Sequence, residues 1–190
     1  MTSIIKVNTI QDAYGNNIFN ENSNTITIGA SGDTTNIVGT LQNNGSAVGG
    51  VNTPAFFVTK TSNQSISDST FTDVIFETEE FDSDNAFASN TTFTVPSGKA
   101  GKYFAFGQIR FQTSTDFSYT LARIVHNSTN VVSAWDRNDD YTTINCQAII
   151  TLAESDTLKL QCRQQSGGAL NLGATDQGHV TYFGAYKIIE

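Results

Sequence analysis

The chain has 190 residues and a formal net charge of −8 at pH 7. Charged residues make up only 15% of it, and no basic cluster is present to neutralise phosphates, which argues against nucleic-acid binding. No window approaches 18 apolar residues, so the sequence shows no helical membrane span, and Met1–Val7 lacks the charged-then-apolar order of a signal peptide. The expectation is a chain made in a cytosol that acts within a larger assembly or after lysis.

Composition shifts near Pro54. Twelve of the 13 Phe and five of the six Tyr lie beyond it, and only Tyr14 and Phe19 precede it. Residues 1–54 are rich in Asn and Gly and too poor in large apolar side chains to bury a core alone. Short alternating bursts nevertheless recur: Ile5 and Val7, then Thr25-Ile26-Thr27-Ile28, then Asn36-Ile37-Val38-Gly39-Thr40-Leu41. Separated by Gly, Asn and Asp, they read as short strands and turns. Such strands would bury their thin apolar faces against copies of themselves, as in an intertwined trimeric β-prism or β-helix. The same low hydrophobicity also fits a disordered arm. Residues 42–53 read as a flexible linker.

Residues 55–190 read as an all-β domain. Candidate strands are 55–59, 72–76, 81–87, 91–95, 102–113, 118–126, 131–135, 142–152, 157–163, 169–172 and 180–189. Turn-rich spacers every eight to twelve residues argue for a sandwich or barrel. Pro54 and Pro96 fall at strand edges or turns, where a missing N–H does no harm.

Several clusters invite a chemical reading. In Trp135-Asp136-Arg137-Asn138-Asp139-Asp140-Tyr141, the side chains of Asp136, Asn138 and Asp140 follow the opening half of a calcium loop. Tyr141 stands where glycine is needed, and Gln147 where a glutamate should close the site. The loop otherwise reads as a solvated turn, or as a surface that recognises a glycan or protein through Trp135 and Tyr141 beside the polar groups of Asp136, Asn138 and Asp140. The run Glu77–Asp84 holds five carboxylates. Sequence neighbours on one strand do not oppose each other across a cleft as glycosidase carboxylates must, so a charged strand edge that resists aggregation fits better. His126 and His179 lack flanking metal ligands. Cys146 and Cys162 read as two small buried thiols. A direct hairpin would face them together, and a crossover between sheets would still let both point inward, but a reducing cytosol disfavours a disulfide. No nucleophile elbow or phosphate-cradling glycine loop appears. The expectation is a protein without catalytic residues, metal or cofactor.

Three patches of the second segment carry a family resemblance. The first is Val74-Ile75-Phe76 followed by Asp82, Phe87 and Phe93. The second is Phe93-Thr94-Val95-Pro96 continuing through Gly101-Lys102-Tyr103-Phe104-Ala105-Phe106. The third is Ile149–Leu152 with Thr157–Leu160, the strand–turn–strand before a last strand Thr181–Ile188. Together they resemble the globular head of complement-type proteins, a ten-stranded jelly roll related to the tumour-necrosis-factor fold. The opening, Ile5–Asp12 with Asn24–Gly29 and Gly32-Asp33-Thr34, is similar to that of structural proteins of marine phages, especially those of cyanobacteria.

The resemblance implies a homotrimeric jelly-roll head on residues 55–190, with residues 1–54 as a stalk or attachment segment held by another virion protein. It implies a bacteriophage structural protein, assembled in the host cytoplasm, most simply a fibre-like appendage whose head meets a host surface glycan or protein. A capsid decoration protein, a carbohydrate-binding module and a glycan-degrading tail enzyme are the alternatives. In the final strand Tyr182 and Tyr186 share one face, since strand side chains repeat every two residues, and Phe183 takes the other. Phe183 is expected in the sandwich core, and Tyr182 and Tyr186 at the threefold axis; the competing arrangement keeps all three inside one chain.

Overall fold

The computed structural model describes residues 9–11, 13–14, 17–22, 25–28, 31–39, 41–43, 46–47, 52–111, 118–137, 143–173 and 180–188. Every regular element among them is a strand. The chain divides into two units, residues 1–50 and 51–190.

In the first unit, β1 (Thr9–Gln11), β2 (Asn17–Asn22) and β3 (Thr25–Ile28) form an antiparallel meander. Its register aligns Ile10, Phe19 and Ile28 across the three strands. The two outer members of this row are open to water: Ile10 is 45% and Ile28 48% exposed. The apolar burst at 36–41 is not a strand over its described residues. Residues 31–39 are all exposed, and Gly39 adopts φ +132°, a conformation that breaks an extended run. The expected linker at 42–53 instead contains a small hairpin, β4 (Gln42–Asn43) with β5 (Ser46–Ala47). The intervening Asn44-Gly45 is the strongest short hairpin signal a sequence carries.

The second unit has thirteen described strands. They are β6 (Ala55–Thr59), β7 (Gln64–Ile66), β8 (Thr72–Asp73), β9 (Thr78–Asp82), β10 (Phe87–Ala88), β11 (Thr92–Thr94) and β12 (Gly101–Arg110), followed by β13 (Tyr119–His126), β14 (Thr129–Asp136), β15 (Thr143–Leu152), β16 (Thr157–Gln165), β17 (Leu170–Leu172) and β18 (Tyr182–Lys187). One sheet runs β15-β12-β18-β6-β9; the other runs β10-β11-β16-β13-β14, with β8 also on β16. Every named pairing is antiparallel. The β12–β13 and β15–β16 connections each pass from one sheet to the other. The final strand returns to the centre of the first sheet, between β12 and β6. This is a sandwich, as the spacing of strands and turns predicts, and its topology is the jelly roll that the family resemblance implies.

Alternation explains the core. In β12, Tyr103, Ala105, Gly107 and Ile109 are buried while the residues between them are half-buried. β15 and β16 alternate likewise. Phe56 is the aromatic hub, with its ring 5.2 Å from Phe87, 4.7 Å from Phe93 and 5.2 Å from Phe183. Burying one such side chain is worth about 1.5–3 kcal/mol. The sheets come close where Gly107 faces Leu160: a β-carbon there would lie 2.7 Å from Leu160 Cδ1.

Several strand ends differ from expectation by one to three residues, and two expected strands are interrupted within their span. The strand expected over 81–87 splits because the Asp82 carboxylate accepts N–H bonds from Asp84 and Phe87, closing a turn in which Asn85 takes φ +52°. The strand expected over 72–76 ends at Asp73. Beyond it Val74 N–H still reaches the Leu160 carbonyl, but Phe76 N–H turns to that of Asn90. β7 was not foreseen; three residues are too few to show a period.

Candidate functional site

The outward face of the β15-β12-β18-β6-β9 sheet is unusually aromatic. Phe104 and Phe106 project from β12, opposite the buried Tyr103 and Ala105. Phe57 projects from β6, Tyr182 and Tyr186 from β18, and Phe81 from β9. The rings form a connected layer. Phe57 lies 6.3 Å from Phe81, 6.2 Å from Phe106 and 5.6 Å from Tyr182, and Phe104 lies 5.8 Å from Phe106 and 5.6 Å from Tyr186. Ile149 extends the layer from β15, paired with Phe104. Phe81 is 53% and Ile149 65% exposed.

Three features hold this face in shape. Gly184, facing outward between Tyr182 and Tyr186, leaves room for the Phe106 ring. Tyr182 donates its hydroxyl to Gln108 Oε1 (3.2 Å), and Gln108 Nε2 donates to the Val180 carbonyl (2.8 Å). A shallow depression of about 250 Å³ lies among Phe104, Phe106, Asn145, Gln147 and Tyr182.

Phe183 lies in the core, fully buried, while Tyr182 and Tyr186 are half-buried on the opposite, outward face. Sequence reasoning missed Phe57, Phe81, Phe104, Phe106 and Ile149 as members of that face. The signal was present: Phe104 and Phe106 alternate with the inward residues of one strand.

Trp135 is the penultimate residue of β14 and is 62% exposed, with the Arg137 guanidinium 5.7 Å from its ring. Asp136 accepts the Arg137 N–H at 2.8 Å, a local turn bond. Asn138, Asp140 and Tyr141 lie outside the described residues, as does His179. Among the described residues no group of three or more His, Cys, Asp or Glu side chains could hold a metal ion.

The acidic run lies on and around β9, the edge strand of its sheet. Four of its carboxylates, those of Glu77, Glu80, Asp82 and Asp84, make local bonds. Glu77 binds the Lys60 ammonium (3.1 Å), Thr61 N–H (2.8 Å) and the Ser62 hydroxyl (2.6 Å). Burial pushes the Glu77 carboxyl up, but these donors outweigh it and hold it below the usual glutamate range. Lys60 itself is fully buried and also donates to the Ile75 carbonyl at 2.8 Å. Glu80 accepts from Thr59, and Asp84 pairs with Lys99 at 3.8 Å.

Cys146 and Cys162 are free thiols, buried on opposite sheets and both pointing inward. Burial pushes each thiol up to about 12, so neither is a ready nucleophile. His126 pairs with Asp156 at 2.8 Å in the corner where β13 ends and β16 begins.

No family model and no curated protein sequence matches the chain. Solved structures do match by shape. Murine APRIL at pH 8.0 aligns with a TM-score of 0.55 and 14% identity, over 70% of this chain and 98% of that one. The globular domain of zebrafish complement 1qA aligns with a TM-score of 0.52 and 17% identity, over 72% and 98%. Eiger TNF from S. frugiperda aligns with 0.55 and 13%, over 72% and 92%. The fold is the jelly roll of tumour-necrosis-factor and complement heads. At these identities the likeness is one of fold.

Proposed function

We propose that the chain forms a homotrimer through the aromatic outer face of the β15-β12-β18-β6-β9 sheet and serves as a structural protein of a bacteriophage particle, a fibre-like appendage whose head contacts the host surface. The observation that carries the assembly is the layer of six aromatic rings with Ile149, of which Phe81 and Ile149 are exposed and the rest half-buried in a single chain. A contiguous apolar patch of this kind calls for a cover, and aromatic residues are the usual anchors of protein interfaces. The aligned Ile10 and Ile28 of the first unit, each about half exposed, support the same reading for residues 1–54: a stalk stabilised by copies of itself and held by another virion protein. The virion role itself rests on the likeness of the opening residues to those of marine phage proteins. Three heads on one tip would turn weak individual contacts into firm attachment.

Immunogold labelling of intact particles with an antibody against residues 55–190 tests the role. Gold at the ends of appendages is the expected result. Gold spread over the capsid shell would establish a decoration protein instead, and purified particles without label would overturn the virion assignment.

A further inference from the structure

The opposite sheet carries a second surface of different chemistry. On its outward face Arg123 (β13) stacks on Phe71, with its guanidinium carbon 3.4 Å from the ring centre. Arg123 donates two hydrogen bonds, of 2.9 and 2.6 Å, to Gln161 Oε1 on β16. Gln161 Nε2 donates to Asp73 Oδ1 at 2.6 Å, and Lys159 Nζ donates to Asp73 Oδ2 at 2.7 Å. These groups border a pocket of about 160 Å³ lined by Arg123, Val125, Ser128, Thr157, Lys159 and Gln161.

The pocket holds two cations against one carboxylate, on a chain whose net charge is −8. Asp73 is already engaged by Lys159 and Gln161, and the acceptor for Arg123 is a neutral amide. A guanidinium has five N–H donors and an ammonium three, so N–H groups of both remain for a ligand. Burial pushes the Arg123 pKa down, with Asp73 opposing; a cation short of solvent gains from an incoming anion. Arg163 stands nearby, 5.4 Å from both Phe71 and Tyr119, and lies within electrostatic reach of Asp68. The Asp156 carboxylate beyond Thr157 is engaged by His126. Trp135 sits on the same face: it pairs with Leu121, and Arg123 pairs with Ser133, two residues along each strand. That diagonal places Trp135 about 7–8 Å from Arg123, at the margin of the pocket, so that the sugar next to an acidic one held there can stack on Trp135.

We propose that this face binds an acidic glycan, with Arg123 and Lys159 holding a carboxylate or sulfate oxyanion and Trp135 carrying the neighbouring sugar ring. An oxyanion accepts several N–H bonds at once, and a charged acceptor roughly doubles the strength of each. The inference deepens the host-contact part of the proposed function by naming its ligand class.

The test is calorimetric titration of the full chain with oligogalacturonate and with dextran sulfate, which separate the carboxylate source from the sulfate source. Neutral dextran, free sulfate and polyglutamate are the controls. One of the two acidic glycans is expected to bind and to weaken with salt. Arg123→Gln, Lys159→Gln and Trp135→Ala should each weaken it by roughly tenfold or more. Lys159 is 34% exposed, so its variant should melt like the parent and keep the test decisive even if Arg123→Gln unfolds. Absence of binding to both glycans, or full binding by Lys159→Gln and Trp135→Ala, overturns the proposal. Equal binding of polyglutamate or of free sulfate overturns the glycan assignment. Light scattering on the same samples separates the two readings: a trimer that ignores every acidic glycan defeats this inference alone, and a monomer that binds one defeats the assembly alone.

Discussion

Gly184 stands beneath the ring of Phe106. A β-carbon on Gly184 would lie 2.6 Å from Phe106 Cζ and 2.9 Å from the Phe56 carbonyl oxygen. One missing side chain on β18 thus makes room for an aromatic ring from β12. Gly184→Ala should cost about 1–3 kcal/mol by overpacking, which lowers Tm by roughly 2–4 °C per kcal/mol in a domain of this size. Phe106→Leu in the same chain should restore only part of the loss, because the Phe56 carbonyl stays in place. Thermal melts of the two single variants and the double variant check this; an additive result would mean that the ring and the glycine are not coupled.

The exposed rings separate assembly from folding. Tyr186→Glu and Phe104→Glu place charges on the outer face without touching Phe56, Phe93 or Phe183. Both should leave the β circular-dichroism spectrum intact and reduce the mass seen by light scattering. Phe183→Ala, which empties the core, should instead cost about 3–5 kcal/mol and lower Tm sharply.

Lys60 and Glu77 form a pair in which the ammonium is fully buried and Glu77 is 27% exposed. Glu77→Gln leaves the buried charge with an amide and the Ile75 carbonyl alone. The expected loss is about 3 kcal/mol, at the low end for a broken buried pair because Glu77 still meets water. Lys60→Met, which removes the charge along with its need for a partner, should cost less than Glu77→Gln. Chemical denaturation measures both.

Stability should fall in acid. Glu77 and Asp156 both have carboxyls held below their ordinary values of 4.5 and 3.8. For Asp156 the leading cause is the Ala153 N–H, followed by Asn127. Because the folded-state values are the lower ones, the stabilisation is complete above the unfolded values and is lost as pH falls through the folded ones. Tm should therefore decline below pH 4.5, and Asp156→Asn should flatten part of that decline. A pH series of thermal melts reads both effects.

The two thiols should be silent in the native protein. Buried and pushed up to about 12, Cys146 and Cys162 should resist an aromatic disulfide reagent at pH 8 and both react promptly in denaturant. Fast reaction of either one in the folded protein would contradict its placement in the core.

Much of the sandwich was legible because its strands alternate cleanly. Ala55–Thr59 and the long strands ending at His126 and Leu152 follow the two-residue period that separates a core from a surface. The same period sorted Phe183 from Tyr182 and Tyr186. Less legible were features made by side chains acting on the backbone, such as Asp82 ending its strand. The aromatic face was only half visible, because Phe57, Phe81 and Phe106 come together through strand order, which no local pattern encodes. The Arg123–Gln161–Asp73–Lys159 network lay hidden for the same reason: its outermost members, Asp73 and Gln161, stand 88 positions apart and meet only once β8, β13 and β16 are neighbours. The apolar burst at Ile37 and Val38 misled because two adjacent residues point to opposite faces and cannot form a row.

The most direct measurement is light scattering on the intact chain as it leaves a size-exclusion column. Aromatic faces meeting in threes predict a mass three times the 20.5 kDa of one chain, reduced by Tyr186→Glu. A particle of 20.5 kDa at micromolar concentration, with the aromatic layer left open to water, would contradict it.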